Sequence, residues 1–177
     1  MEFLVAKKDS QPGGAAMNAP MKSLVYFGAV LLTLNPCFAD AQRGAYLAKI
    51  MDCGGCHTPG QMKGQPDHSR ALAGGDVGFK LPGLGIFYPP NLTADKETGL
   101  GKWSADQIQA AITKGVRPDG RQLAPIMPYH SYSALTDADA SDLVSYIQSL
   151  APINNAVPAP LAEHAKAPLP YLAVTGP

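Results

Sequence analysis

From Arg43 onward the apolar positions fall into short stretches of helical spacing, each closed by glycine or proline. Tyr46, Leu47, Ile50 and Met51 recur at intervals of one, three and four, which predicts a helix ending near Cys53. Ser104 with Gln107 three residues later is a capping-box start; Ile108, Ala111 and Ile112 then share one face, and Gly115 stops the run. Thr136 with Asp139 repeats the start signal more weakly. Leu143, Tyr146, Ile147 and Leu150 follow as a third apolar stripe that ends before Pro152. Between His57 and Trp103 the chain is rich in glycine and proline and has no clear period, the mark of a long functional loop. Beyond residue 151 come Pro152, Pro158, Pro160, Pro168, Pro170 and Pro177, so the last segment should run extended over the surface. The expected fold class is all-α, with short helices held by long loops.

The amino-terminal pattern differs. Met21 and Lys22 precede an apolar stretch from Leu24 to Leu34, then Asn35-Pro36 and small residues up to Ala41. That order reads as a signal peptide over residues 21–41, cleaved after Ala39 or Ala41. The stretch would span about 16 Å as a helix, short of the ~30 Å hydrocarbon layer, so a permanent membrane span is disfavoured. A lipoprotein reading of Leu34-Asn35-Pro36-Cys37 suffers from the proline beside the cysteine. Residues 1–20 read as a leader extension or a start placed too early.

Composition narrows the classes further. With 177 residues there is room for one ordinary domain. The 14 basic and 14 acidic residues cancel, which removes the positive footprint a nucleic-acid partner requires. The 18 glycines and 17 prolines argue against a long-helix bundle or a large sheet.

Cys37 would leave with the leader, and Cys53 and Cys56 remain. Cys53-Gly54-Gly55-Cys56-His57 is C-x-x-C-H, the attachment signature of a c-type heme. Two thiols at this spacing can add to the two vinyl groups on one porphyrin edge, and the next residue is then carried beneath the iron. Gly54 and Gly55 would let the backbone pass close to the macrocycle. A thioredoxin-like pair should follow a strand, whereas helical spacing precedes this one. A zinc site would need two further ligands at short spacing, and none follows.

The sixth iron ligand separates a carrier from an enzyme. Met51, Met62, Met127, His68, His130 and His164 are the candidates. Met51, Met62 and His68 stand too close to the attachment motif to reach the opposite heme face. Met127 lies far downstream in Ala124-Pro125-Ile126-Met127-Pro128-Tyr129, where two prolines fix the backbone around a flexible side chain. His130 is the runner-up. A carbonyl in the long loop, Pro82 for choice, should accept the His57 Nδ1 proton. Asn91, Trp103 and Arg121 are candidate propionate donors.

C-x-x-C-H early and Pro125-Ile126-Met127-Pro128 late resemble class I cytochromes c. Gly85 to Asp95, reading GIFYPPNLTAD, then Thr98 to Ser104, reading TGLGKWS, are similar to the heme domains of cytochrome subunits of membrane-bound alcohol, gluconate and sugar dehydrogenases. So are Gly115 to Arg121, reading GVRPDGR, and Met127-Pro128-Tyr129 with Tyr132 and Leu135-Thr136-Asp137. Those subunits usually carry three such domains, whereas this chain has a single C-x-x-C-H. The resemblance implies a class I cytochrome c fold over residues 42–151, its first and last helices crossing near Gly44. Residues 152–177 would then be a linker remnant, a docking strap or a plain disordered terminus. It implies one covalent heme c, attached at Cys53 and Cys56 and ligated by His57 and Met127. The expected function is a periplasmic electron carrier, not an enzyme. Redox proteins would be its partners: an alcohol- or sugar-type dehydrogenase as donor and a quinone, cytochrome or oxidase as acceptor. A fixed subunit of a dehydrogenase complex, or a heme enzyme or gas sensor with an open sixth position, are the alternatives.

Overall fold

The computed structural model describes residues 39–173. The expected leader extension, the expected signal peptide up to residue 38 and Cys37 lie outside the described residues. Asp40 opens the first helix, α1 (Ala41–Ile50): its side chain accepts from the Gln42 N–H, and its own N–H donates to Asp142 Oδ1 at 2.6 Å. The buried face of α1 is Gly44, Leu47 and Ala48, whereas Tyr46 and Ile50 are 54% and 58% exposed. The helix is where the spacing predicts it; two of its four apolar residues face outward.

A single turn, α2 (Cys53–His57), follows the left-handed Asp52. Next come two 3-10 turns, Gln61–Lys63 and His68–Arg70. The capping box on α3 (Ala105–Lys114) forms in full, with Ser104 and Gln107 bonding reciprocally, and Ile108, Ala111 and Ile112 are buried as expected. A short α4 (Tyr129–Tyr132) leads into α5 (Asp137–Ser149), capped by Thr136, with Ala140, Leu143, Val144 and Ile147 buried. Leu47, Ala48, Ile108, Ile112, Leu143, Val144 and Ile147 form one core cluster, which ties α1, α3 and α5 together. A Cβ on Gly44 would strike the Asp142 carbonyl, so α1 and α5 cross in contact at that residue, as the resemblance implies.

The all-α expectation does not cover the whole domain. A three-stranded sheet in the order β2-β1-β3 joins the helices. β1 (Gly78–Leu81) and β2 (Gly85–Phe87) pair antiparallel, Phe79 opposite Phe87. Pro82 and Gly83 occupy the centre of their turn, Leu84 N–H donating to the Leu81 carbonyl at 3.1 Å; Gly83, at φ 72°, takes the position that a type II turn reserves for glycine. β3 (Tyr171–Ala173) comes from the far end of the chain and pairs parallel to β1. Runs of three or four residues are too short for an alternating period to show in sequence.

The proline-rich segment is extended, as its composition predicts, and it is tied down. Ile153 and Asn155 bond to the side chains of Asn91, Thr93 and Thr98, and Asn155 Nδ2 donates to the Ala73 carbonyl at 2.7 Å. Leu161 pairs with Ile86 through both backbone groups, each bond 2.9 Å, and the Leu169 carbonyl accepts from the Tyr88 hydroxyl at 2.6 Å. Among the described residues no helix is long and apolar enough to cross a membrane.

Candidate functional site

Asp52, in left-handed conformation, ends the run of α1 and redirects the chain. In the turn that follows, Cys53, Cys56 and His57 stand at i, i+3 and i+4 and so share one side. The space a side chain would need at Gly55 is filled by the Asp52 carboxylate, so this glycine serves the packing of the turn itself. Both cysteines carry free thiols. Burial pushes the Cys53 thiol up to about 11, and burial followed by the nearby Asp52 charge raises that of Cys56. Neutral thiols resist oxidation to a disulfide, since the thiolate is the attacking species.

His57 is buried, and its Nδ1–H donates to the Pro90 carbonyl at 2.7 Å. The acceptor is therefore Pro90 and not Pro82, which sits at the exposed tip of the hairpin. Pro90 is presented to the ring because its neighbours are pinned: Gly75 N–H donates to the Pro89 carbonyl and Leu92 N–H to the Leu72 carbonyl, each at 2.9 Å. Burial lowers the pKa of His57, outweighing the raising effect of the Pro90 bond, and favours the neutral ring. With the proton on Nδ1, Nε2 holds the lone pair, the form a metal-ligating imidazole requires.

Cys53, Cys56, His57 and Met127 all line a single cavity of about 540 Å³. Ile108, Ile112, Leu143 and Ile147 from the helical core form part of its wall, Phe79, Phe87 and Tyr88 another part, and Val157 to Pro160 of the extended segment a third. Met127 is held in a tight loop, its N–H donating to the Ala124 carbonyl at 3.0 Å and its carbonyl accepting from Tyr129 at 2.8 Å. Met51 also lines the cavity; Met62, His68, His130 and His164 are not among its lining residues. His130 is exposed and packs at a tilt against Tyr129, ring centroids 4.3 Å apart.

The three candidate propionate donors separate. Asn91 is spent: Nδ2 donates to Thr98 Oγ1 at 3.0 Å and to the Ile153 carbonyl at 2.7 Å, while Oδ1 accepts from the backbone and hydroxyl of Thr93. All three line the cavity, and neither Trp103 nor Arg121 is spent in this way. Sequence reasoning passed over Arg117, which stacks over Trp103 with its guanidinium carbon 4.8 Å from the ring centroid. Its buried Nε has no hydrogen-bond partner. Two free thiols, a tautomer-fixed imidazole, apolar walls and an orphaned cationic donor in one cavity of ligand size fit an anionic macrocycle held by thioether bonds. The signal that marks Arg117 in sequence is its place in the Gly115 to Arg121 segment, two residues from Asp119 and four from Arg121.

Comparison with known proteins gives a family match, cytochrome c, over residues 41–151. The chain is 40% identical over 107 residues to the fructose dehydrogenase cytochrome subunit of Gluconobacter japonicus, an overlap covering 60% of this chain and 20% of that protein. It is 40% identical over 119 residues to the gluconate 2-dehydrogenase cytochrome c subunit of Pantoea cypripedii, covering 67% of this chain and 25% of the relative. With the alcohol dehydrogenase (quinone) cytochrome c subunit of Komagataeibacter europaeus it shares 36% over 124 residues, covering 70% and 25%. The matched part spans a fifth to a quarter of the length of these relatives.

Proposed function

This chain belongs to the cytochrome c family, whose defining cofactor is covalently bound heme c, and on that premise we propose that it is a single-heme, one-electron carrier. Cys53 and Cys56 would tether the heme, and His57 and Met127 would be the residues that hold its iron. The observation that carries this reading is the meeting of the attachment turn and the Met127 loop in one apolar cavity. Bound there, heme supplies the Fe(II)/Fe(III) couple.

The chain does the rest by holding geometry. The Pro90 carbonyl fixes the tautomer and orientation of His57. Pro125 and Pro128 restrict the loop that offers the Met127 thioether, a ligand that raises the potential of the iron. Leu100, Ile108, Leu143 and Ile147 help to keep water from the cavity, which disfavours the more highly charged ferric state. No substrate bond is made or broken by these residues.

Residues 21–41 support export, and with it a periplasmic location. The relatives' names support a dehydrogenase acting on an alcohol or sugar-type substrate as the electron donor. A quinone, a cytochrome or a terminal oxidase is the acceptor we propose. A fixed place in a dehydrogenase complex is the second reading, favoured by relatives that are themselves called subunits.

Expression with a cytochrome c maturation system and visible spectroscopy test the proposal. The wild-type protein should carry one heme that resists acid–acetone extraction, with a low-spin spectrum and the far-red ferric band of thioether ligation. Met127→Ala should abolish that band and open the iron to carbon monoxide, and Cys53→Ala with Cys56→Ala should abolish covalent attachment. A colourless product, or a wild-type iron that binds carbon monoxide readily, overturns it. Co-purification with a dehydrogenase in high salt would favour the fixed subunit over the free carrier.

A further inference from the structure

The loop that carries Met127 is fastened by hydrogen bonds near its two ends. Among the described residues, two such bonds join residues 123–135 to the rest of the chain: Leu123 N–H donates to the Gly115 carbonyl at 2.7 Å, and the Tyr132 hydroxyl donates to the Met51 carbonyl at 3.0 Å. At the first end the buried Tyr129 ring also lies against Gly115, where a Cβ would strike it. Between the anchors Pro125, Ile126 and Pro128 are exposed and Met127 is half-buried. The arc has little else to hold it.

The second anchor reaches far along the chain. Met51 is the C-cap of α1 and stands directly before Asp52 and Cys53, so Tyr132 connects the Met127 loop to the start of the attachment turn. Its ring lines the cavity and packs against the helical core. Burial, and after it the nearby Cys53, Cys56 and Asp52, push the hydroxyl up to about 12, so it stays a donor at neutral pH. Met127 and Tyr132 are also joined to each other. The Met127 carbonyl accepts from the Tyr129 N–H, and the Pro128 carbonyl from those of Ser131 and Tyr132, so a displacement of Met127 carries this turn with it.

We infer that Tyr132 is a positioning residue, which by tying the Met127 loop to the attachment turn keeps the thioether on the iron and the sixth position closed to outside ligands. This rests on the function proposed above. An outside ligand reaches the iron only in molecules whose loop has opened, so its apparent affinity is its intrinsic affinity scaled by the open fraction. The closed loop keeps the bond to Met51 and the open loop loses it. Removing the hydroxyl therefore raises the open fraction by the net worth of one hydrogen bond, roughly three- to tenfold.

Imidazole titration of the matured ferric holoprotein tests this. Tyr132→Phe keeps the ring in the core, and without imidazole it should retain the far-red band of thioether ligation. It should nevertheless bind imidazole roughly three- to tenfold more tightly than the wild type. In a Met127→Ala background, where the sixth position is already open, adding Tyr132→Phe should leave the imidazole affinity, followed in the Soret region, unchanged. A side chain that merely stabilised the fold would lower the melting temperature and leave the affinity alone. Equal imidazole affinity in Tyr132→Phe and the wild type, or the same gain with and without Met127, overturns the positioning role alone. A wild-type protein that lacks covalent heme or the far-red band overturns both this role and the function on which it rests.

Discussion

Asn91 donates both amide hydrogens and accepts twice at its oxygen, and in doing so it fastens the loop after the hairpin to Ile153. Asn91→Ala leaves buried polar groups without partners, which typically costs about 1–3 kcal/mol per group. Urea unfolding of Asn91→Ala should show a lowered midpoint, with the slope little changed. Asp67 acts through charge. Its hydrogen bond from the Ser69 hydroxyl, then the one from Arg70, holds its carboxyl at about 2, against an ordinary value of 3.8. Because the folded-state pKa is depressed, the stabilisation is present above 3.8 and disappears as pH falls towards 2. The melting temperature of Asp67→Asn should therefore lie below that of the wild type at neutral pH, and the gap should close on acidification; an unchanged gap at pH 2 would count against the linkage. At this scale the attachment motif and Met127 stood out in sequence because their residue types are rare and their spacing has a chemical reason. Arg117 did not, and Asn91 stood out for a role that its bonds to Thr93, Thr98 and Ile153 leave no room for, since nothing in a linear pattern says whether a polar side chain is already partnered.

At the scale of elements the helices were the legible part. Caps and apolar stripes are local, so Ser104 with Gln107 placed α3 correctly, and Thr136 with Pro152 bracketed α5. Which way each apolar residue of α1 faces was not local: Leu47 turned inward and Tyr46 outward because α5 packs across Gly44. Gly44→Val should force these helices apart, a clash of the kind that costs about 1–3 kcal/mol or more, read as a lower melting temperature of the holoprotein. Ser131→Ala, at an exposed position of α4, should leave it near the wild-type value. The sheet escaped sequence reading for the opposite reason: β1 is completed by β3, whose register with it, Phe79 beside Leu172, is set through space and has no period to display.

On the scale of the molecule, the family match ends at residue 151, but the cavity does not, since Val157, Pro158, Ala159 and Pro160 complete its wall. Deleting residues 152–173 should admit water beside the iron and lower its potential, because a wetter surrounding favours the ferric charge. Potentiometry and carbon monoxide binding would measure the effect; a truncated holoprotein with the wild-type potential would show that the segment is dispensable. A polypeptide is made from its amino end, so the cysteine pair emerges well before this closing wall exists. Until that stretch folds down the cavity stands open on one side, and the two sulfurs can be reached there by a bulky prosthetic group.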